Sequence, residues 1–152
     1  MIRRYSWDPG EYFYHYRKTW LWLQHSDESY RDEWARYDPG TGPEIFTVDG
    51  VRATCMICAD GDSGRCLDRA AALKPQVVFF PNNRANLPSF QNFGRIAARI
   101  GAPMLVANRV GRSVTYPTKG GCVVFSAQGK VLAKANREGR EEILHYELEL
   151  TA

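Results

Sequence analysis

Residues Gly50–Asn83, GVRATCMICADGDSGRCLDRAAALKPQVVFFPNN, decide the fold class. The stretch reads as strand, loop, helix, strand. Val51, Ala53, Cys55 and Ile57 fall on one side of the first strand, and Arg52, Thr54, Met56 and Cys58 on the other. Turn-forming residues then cluster at Asp60-Gly61-Asp62-Ser63-Gly64. Over Arg65–Lys74, Cys66, Leu67, Ala70 and Leu73 recur at helical spacing, and Pro75 stops the helix. Val77–Phe80 is apolar throughout, the pattern expected of a strand covered on both faces in a parallel sheet. Such a unit puts Cys58 at the carboxyl edge of a strand, beside a helix amino terminus. Open α/β sheets carry their reactive groups there.

Upstream, Asp49-Gly50 between Glu44–Val48 and Val51–Ile57 is the strongest short hairpin signal in the chain. Glu11–Leu23 is dense in aromatics, with Asp8-Pro9-Gly10 read as a turn and Tyr12–Tyr16 as a strand leaving it. Ser26–Arg36 is polar and acidic, and Asp38-Pro39-Gly40 closes it as a loop. Downstream, Asn82–Pro88 reads as a loop. Ser89–Ile100 reads as a helix capped by Ser89 and stopped by Gly101, with Phe90, Phe93, Ile96, Ala97 and Ile100 on one stripe. Pro103–Ala107 is a further apolar strand, and Asn108–Lys119 a loop. Cys122–Phe125 and Val131–Ala135 pair across Gln128-Gly129, and alternation over Ile143–Leu150 predicts a last strand. Helix and strand alternate early and strands dominate late, so the class is α/β with an antiparallel margin. With no linker or internal repeat, residues 1–152 form a single domain.

Composition narrows the functional classes. At 152 residues, 44% hydrophobic and 24% charged, the chain has the make-up of a soluble globular domain. Its net charge of +3 is scattered, with no lysine or arginine run, which argues against nucleic acid as a partner. No apolar stretch approaches the roughly 20 residues needed to span a bilayer, and Tyr5–Tyr14 is too polar for a signal-peptide core. Neither a membrane nor export is expected. Four cysteines are too few for a disulfide scaffold and fit reduced thiols in a cytoplasmic setting.

Three residues stand out as candidates for chemistry, each beside a plainer reading. Cys58 is either a buried thiol acting as a small hydrophobe or a nucleophile whose thiolate is favoured by a helix dipole and a nearby cation. With Cys55 it spells CxxC, but the first cysteine lies within a strand and no second pair answers it, so a zinc or redox module ranks last. Lys18 is either a surface lysine or an ammonium held among the aromatics of Tyr16-Arg17-Lys18-Thr19-Trp20-Leu21-Trp22. Glu33 taken alone reads as a loop carboxylate.

Taken in order, these residues resemble the nitrilase, or carbon–nitrogen hydrolase, superfamily. The likeness rests on Tyr16-Arg17-Lys18-x-x-Leu21, Glu33 seven residues before Gly40, and Ile57-Cys58-x-Asp60. It continues through Pro81-Asn82-Asn83, Ala107-Asn108-Arg109-Val110-Gly111 and the hairpin Gly121–Ala135, covering about Asp8 to Leu150. The resemblance implies a nitrilase-like α-β-β-α sandwich, incomplete at its amino-terminal side. It implies that Cys58 attacks an amide, carbamoyl or nitrile carbon to give a thioester or thioimidate. Lys18 and the backbone N–H of Ala59 then stabilise the oxyanion, and Glu33 orients the substrate nitrogen or assists proton transfer. Asp60, Asn83 and Asn108 are expected to be structural near the site. The substrate is a small molecule, no cofactor or metal is implied, and assembly as a homo-oligomer through Arg65–Lys74 and Ser89–Ile100 is expected.

Two departures from the family pattern shape the expectation. The superfamily's general-base glutamate lies upstream of the lysine motif, and Asp8 and Glu11 are the sole carboxylates before Lys18 here. The chain is therefore expected to be a fragment or complementing half, weak or inactive by itself. The loop Gly61–Arg65 and Ala59 also differ from the usual motif, which bears on substrate identity; Trp20, Trp22, Arg36 and Arg109 are offered as pocket residues for a carboxylated amide. The alternative is a non-catalytic interaction domain that keeps the fold and binds through an open sheet edge.

Overall fold

The Asp49-Gly50 hairpin forms as its residues require. Strands β1 (Ile45–Val48) and β2 (Val51–Cys55) pair antiparallel, with Val48 opposite Val51. Asp49 and Gly50 take φ of 50° and 83°, the left-handed pair that a two-residue hairpin turn demands. The computed structural model describes residues 16–21, 33, 37–84, 88–112, 117–136 and 139–150. The turn expected at Asp8-Pro9-Gly10 and the strand from Tyr12 up to His15 lie outside those residues, as do Trp22 and Arg36.

From β2 the chain crosses through α1 (Gly64–Ala72) to β3 (Val77–Asn82), which pairs parallel with β2 in the register Ala53 to Val77. Buried Ser63 caps α1, its Oγ accepting the Cys66 N–H at 3.4 Å. Lys74 takes a left-handed φ of 47° just before Pro75, where helical backbone is disfavoured. A second crossover ends in α2 (Arg95–Ile100), stopped by left-handed Gly101, and leads to β4 (Met104–Asn108), parallel to β3. The expected single helix over Ser89–Ile100 opens instead with a π-helical turn at Phe90–Gly94. The Ser89 carbonyl there accepts both the Phe93 and the Gly94 N–H. At Ser89 the side-chain amide oxygen of Asn92 accepts from both the backbone N–H and the hydroxyl.

Beyond β4 the sequence predicted a plain loop. The structure places there a short antiparallel ribbon, β5 (Val110–Arg112) with β6 (Pro117–Lys119). Then β7 (Val123–Phe125) returns antiparallel to β4, and β8 (Val131–Lys134) completes a six-stranded sheet ordered β1-β2-β3-β4-β7-β8. The last strand expected over Ile143–Leu150 is not formed: residues 141–150 have no regular secondary structure, and Ile143 is 97% exposed. Among the described residues no strand pairs with that segment. The whole is the mixed α/β sheet that the sequence implied, parallel at the centre and antiparallel at both edges.

Both helices lie on one face. Cys66, Leu67 and Ala70 of α1 and Ile96, Ala97 and Ile100 of α2 join Met56, Val78, Phe80, Met104, Val106, Val123 and Phe125 in one core. Phe80 meets Phe93 edge to face at 5.2 Å between ring centroids. The reverse face is less covered than an apolar β3 suggested. Phe79 is 36% exposed and stacks on Phe46, with Cys55 and Leu105 part-buried beside them.

Gly50 has open space where a Cβ would stand, so replacing it isolates backbone strain from packing. Gly50→Ala is expected to lower the free energy of unfolding by about 1–2 kcal/mol, the cost of a left-handed non-glycine residue. Gly50→Asn should cost less; urea unfolding of both variants checks this.

Candidate active site

The site is built around a carboxylate. Asp60 lies in the 3-10 turn Cys58–Asp62 that leaves β2, and it is fully buried. Its Oδ2 accepts from the Ile57 N–H and the Tyr16 hydroxyl, both at 2.8 Å. Its Oδ1 accepts the N–H groups of Thr19 at 2.9 Å and Trp20 at 2.6 Å. One side chain thus ties the cysteine turn to the lysine-bearing segment some 40 residues earlier. A carboxylate suits this position because its two oxygens can satisfy four donors without water.

On the other side of that segment, Lys18 Nζ pairs with a Glu33 carboxylate oxygen. Their side chains are 14% and 33% exposed, so the pair is sheltered without being sealed. The Asp38-Pro39-Gly40 loop holds the same strand of chain, with the Gly40 N–H donating to the Lys18 carbonyl at 2.9 Å. A Cβ on Gly40 would stand 2.1 Å from the Arg17 carbonyl oxygen. Glycine is needed there for close approach rather than for an unusual dihedral.

Cys58 opens the turn with a φ of 48°, outside the ordinary range for a side-chain-bearing residue. The conformation is held from three directions. Asp60 fixes the Ile57 N–H before it. Arg84 donates from Nη2 to the Cys58 carbonyl at 3.1 Å and to Asp62 Oδ2 at 2.5 Å. Gly61 sits so close to the core that an added Cβ would come within 2.8 Å of Phe80 and Ile96. The Cys58 thiol is part-exposed, and Ala59 behind it is buried.

Burial, reinforced by the charge of Asp60, pushes the Cys55 thiol up to about 11. Burial also raises Cys66. Both thiols are therefore neutral at physiological pH. The Tyr16 phenol is held well above its usual range, first by burial, so it stays a donor to Asp60.

At the ends of β3 and β4, Asn82 Nδ2 donates to Asn108 Oδ1 at 2.9 Å, and Asn108 Nδ2 donates to the Gly120 carbonyl at 2.6 Å. The Arg84 N–H donates to that same Asn108 oxygen at 3.1 Å. Asn108 therefore anchors the segment that carries Arg84. Asn82 is also the direct register partner of Asn108, and Asn83 lies half-buried just beyond the strand.

Among the sequence candidates, Lys18 and Glu33 meet side chain to side chain, and Asp60 joins their segment to the turn of Cys58 and Ala59. The roles of Arg84, Gly40 and Tyr16 carried no signal of their own in the sequence, although Tyr16 stands in the quoted lysine motif. Of the four residues offered as a pocket, only Trp20 and Arg109 are described. Among the described residues no group of three or more His, Cys, Asp or Glu side chains could hold a metal ion. None of the described helices is long and apolar enough to cross a membrane.

Known proteins share this fold. The carbon–nitrogen hydrolase family model matches residues 8–152. No curated protein matches the chain. Solved structures do. A glutamine-dependent NAD+ synthetase from Acinetobacter baumannii, in complex with ADP, is 17% identical with a TM-score of 0.68, over 84% of this chain and 24% of that one. A mutant of an amidase from Nesterenkonia, showing covalent addition of the acetamide moiety of fluoroacetamide at the active-site cysteine, is 23% identical with a TM-score of 0.67. That match covers 82% of this chain and 46% of the amidase. A carbon–nitrogen hydrolase from Helicobacter pylori is 22% identical with a TM-score of 0.65, over 84% of this chain and 48% of that one. The chain thus spans from about a quarter to about half the length of these neighbours.

Two measurements test the site's construction. Asp60→Asn leaves one acceptor oxygen where two serve four donors. With hydrogen bonds to charged groups contributing about 1.5–3 kcal/mol each, it should lower stability by about 3 kcal/mol or more. It should also remove hydrogen-exchange protection from the Thr19 and Trp20 amides; unchanged protection would show that the segment is held by something else. Alkylation of Cys55 by iodoacetamide should rise about tenfold per pH unit from neutrality upward, because its thiolate is scarce until the pH nears the raised value. Peptide-resolved mass spectrometry reads this directly.

Proposed function

This chain belongs to the carbon–nitrogen hydrolase family, and on that premise we propose that it carries the nucleophile of an amide-, carbamoyl- or nitrile-hydrolysing site, with Cys58 as that nucleophile. The observation that carries the reading is the Asp60 carboxylate, which accepts hydrogen bonds from both the Cys58 turn and the Lys18 segment. It gives a reason for these two residues, distant in sequence, to serve one reaction.

In this reading the Cys58 thiolate attacks the substrate carbon. A carbon–sulfur bond forms as the π electrons move to oxygen, or to nitrogen in a nitrile. The Lys18 ammonium and the Ala59 N–H meet that developing charge. The first N–H groups of a helical turn have no acceptor within the turn, which favours Ala59 as a donor. Collapse of the tetrahedral intermediate breaks the carbon–nitrogen bond, with a proton delivered to the leaving nitrogen. Water then cleaves the thioester, releasing the acid and restoring the thiol. A nitrile passes through a thioimidate instead.

Proton transfer is the weak point of the described residues. Asp60 is fully engaged in structural hydrogen bonds, and Glu33 is paired with Lys18. A dedicated general base contributes about 10²- to 10⁴-fold, so low turnover by this chain alone belongs to the proposal. The substrate remains a small amide, carbamoyl compound or nitrile.

Fluoroacetamide, the reagent seen on the Nesterenkonia amidase, provides the test without requiring turnover. It should label Cys58 ahead of Cys55, Cys66 and Cys122. Cys58→Ala should abolish the fast phase. Uniform labelling of the four cysteines in folded protein would remove the basis for a nucleophile. The second reading, a non-catalytic interaction domain, would then stand on the part-open face around Phe46 and Phe79.

A further inference from the structure

A cleft of about 450 Å³ opens between the Cys58–Asp62 turn and the start of α2. Its charged lining is Arg84, Arg95 and Arg99 against the single carboxylate of Asp62. We propose that this cleft binds an anionic group, a carboxylate or a phosphate, through those three guanidinium groups.

The arginines differ in how committed they are. Arg84 is fixed: it is held by Asp62 and the Cys58 carbonyl, and its guanidinium lies 5.5 Å from the centroid of the buried Phe93 ring. Arg99 is paired with Asp68 at 2.6 Å, but the two side chains are 47% and 71% exposed. An ion pair so open to solvent contributes little and is readily exchanged. The Arg95 side chain has no hydrogen bond or ion pair among the described residues. The cleft therefore offers one immobile guanidinium, one exchangeable and one uncommitted, with Leu67 and Ile96 as apolar wall. Planar guanidinium forks match the two oxygens of a carboxylate or phosphate, and partial enclosure strengthens such charge-assisted bonds. A neutral ligand would leave the excess positive charge unanswered.

The anion has two possible sources: the charged tail of a molecule whose other end lies over Cys58, or a separate small anion. The site itself does not depend on Cys58 chemistry, so binding is measured independently. Titration of the full chain with phenyl phosphate and with benzoate, followed by the arginine Nε–Hε signals, should shift Arg84, Arg95 and Arg99 together and saturate. Benzyl alcohol should not saturate. The double substitution Arg95→Ala with Arg99→Ala, on an exposed helix surface where folding is checked by circular dichroism, should weaken both anions by about tenfold or more. Lys130→Ala, a distant surface charge, should leave the affinity as it is. Unchanged affinity in the double variant, equal binding of benzyl alcohol, or no saturable shift would each overturn the site.

A second arm separates the sources. If saturating phenyl phosphate slows iodoacetamide labelling of Cys58, the anion is part of a molecule seated over the thiol. If labelling continues at the same rate while the arginine signals stay shifted, the cleft holds a separate anion. Should Cys58 prove unreactive throughout, the hydrolase reading fails while the binding result stands.

Discussion

A single buried carboxylate holds the site together. Asp60 follows Cys58 by two residues, and its four hydrogen bonds leave it no freedom and no exposure to water. Burying a charge is costly unless every lone pair is answered. Here the answers come from two separate pieces of chain, so the charge can be buried only when those pieces are together. The cost of desolvating Asp60 thereby becomes a requirement for docking the Lys18 segment. Positioning of the ammonium follows from satisfying the carboxylate.

Around that anchor, close approach is secured by what is missing from side chains. Gly40 lets its loop lie against the carbonyl of Arg17, and Gly61 lets the cysteine turn sink onto Phe80 and Ile96. Arg84 then closes the turn from the opposite side, its own backbone N–H held by Asn108 at the end of β4. Cys58 is thus kept in a left-handed conformation by its own turn, by Phe80 of β3 and Ile96 of α2 beneath it, and by Arg84, which Asn108 of β4 anchors. Such strain persists only where the surroundings determine it more than once.

Local pattern made most of the framework legible. The Asp49-Gly50 hairpin, the strand–helix–strand unit after it, the end of α2 at Gly101 and the β7–β8 hairpin are all short-range signals, and each is found where it was expected, although α2 itself starts only at Arg95. What could not be read depends on neighbours. Alternation over Ile143–Leu150 describes a strand only if another strand lies beside it, and residues 141–150 form none. The apolar run of β3 says that its side chains favour burial, not how far each face is covered, and Phe79 remains part-exposed. The π-helical turn at Phe90–Gly94 rests on the Ser89 carbonyl accepting from both Phe93 and Gly94, which side-chain spacing does not announce. For the candidate site, ordered motifs named the segments, but the Lys18–Glu33 contact and the reach of Arg84 to the Cys58 carbonyl exist only once those segments pack.

The position of Cys55 within β2 also bears on how the molecule ages. Cys55 and Cys58 are separated by two residues, a spacing that elsewhere closes readily into a small ring through sulfur. Closure requires the two sulfurs to approach each other, and Cys55 is fixed in the strand ladder opposite Phe79. Slow air oxidation of stored protein should therefore leave this pair unbridged, sparing Cys58 from being locked away by its nearest sulfur neighbour in the sequence.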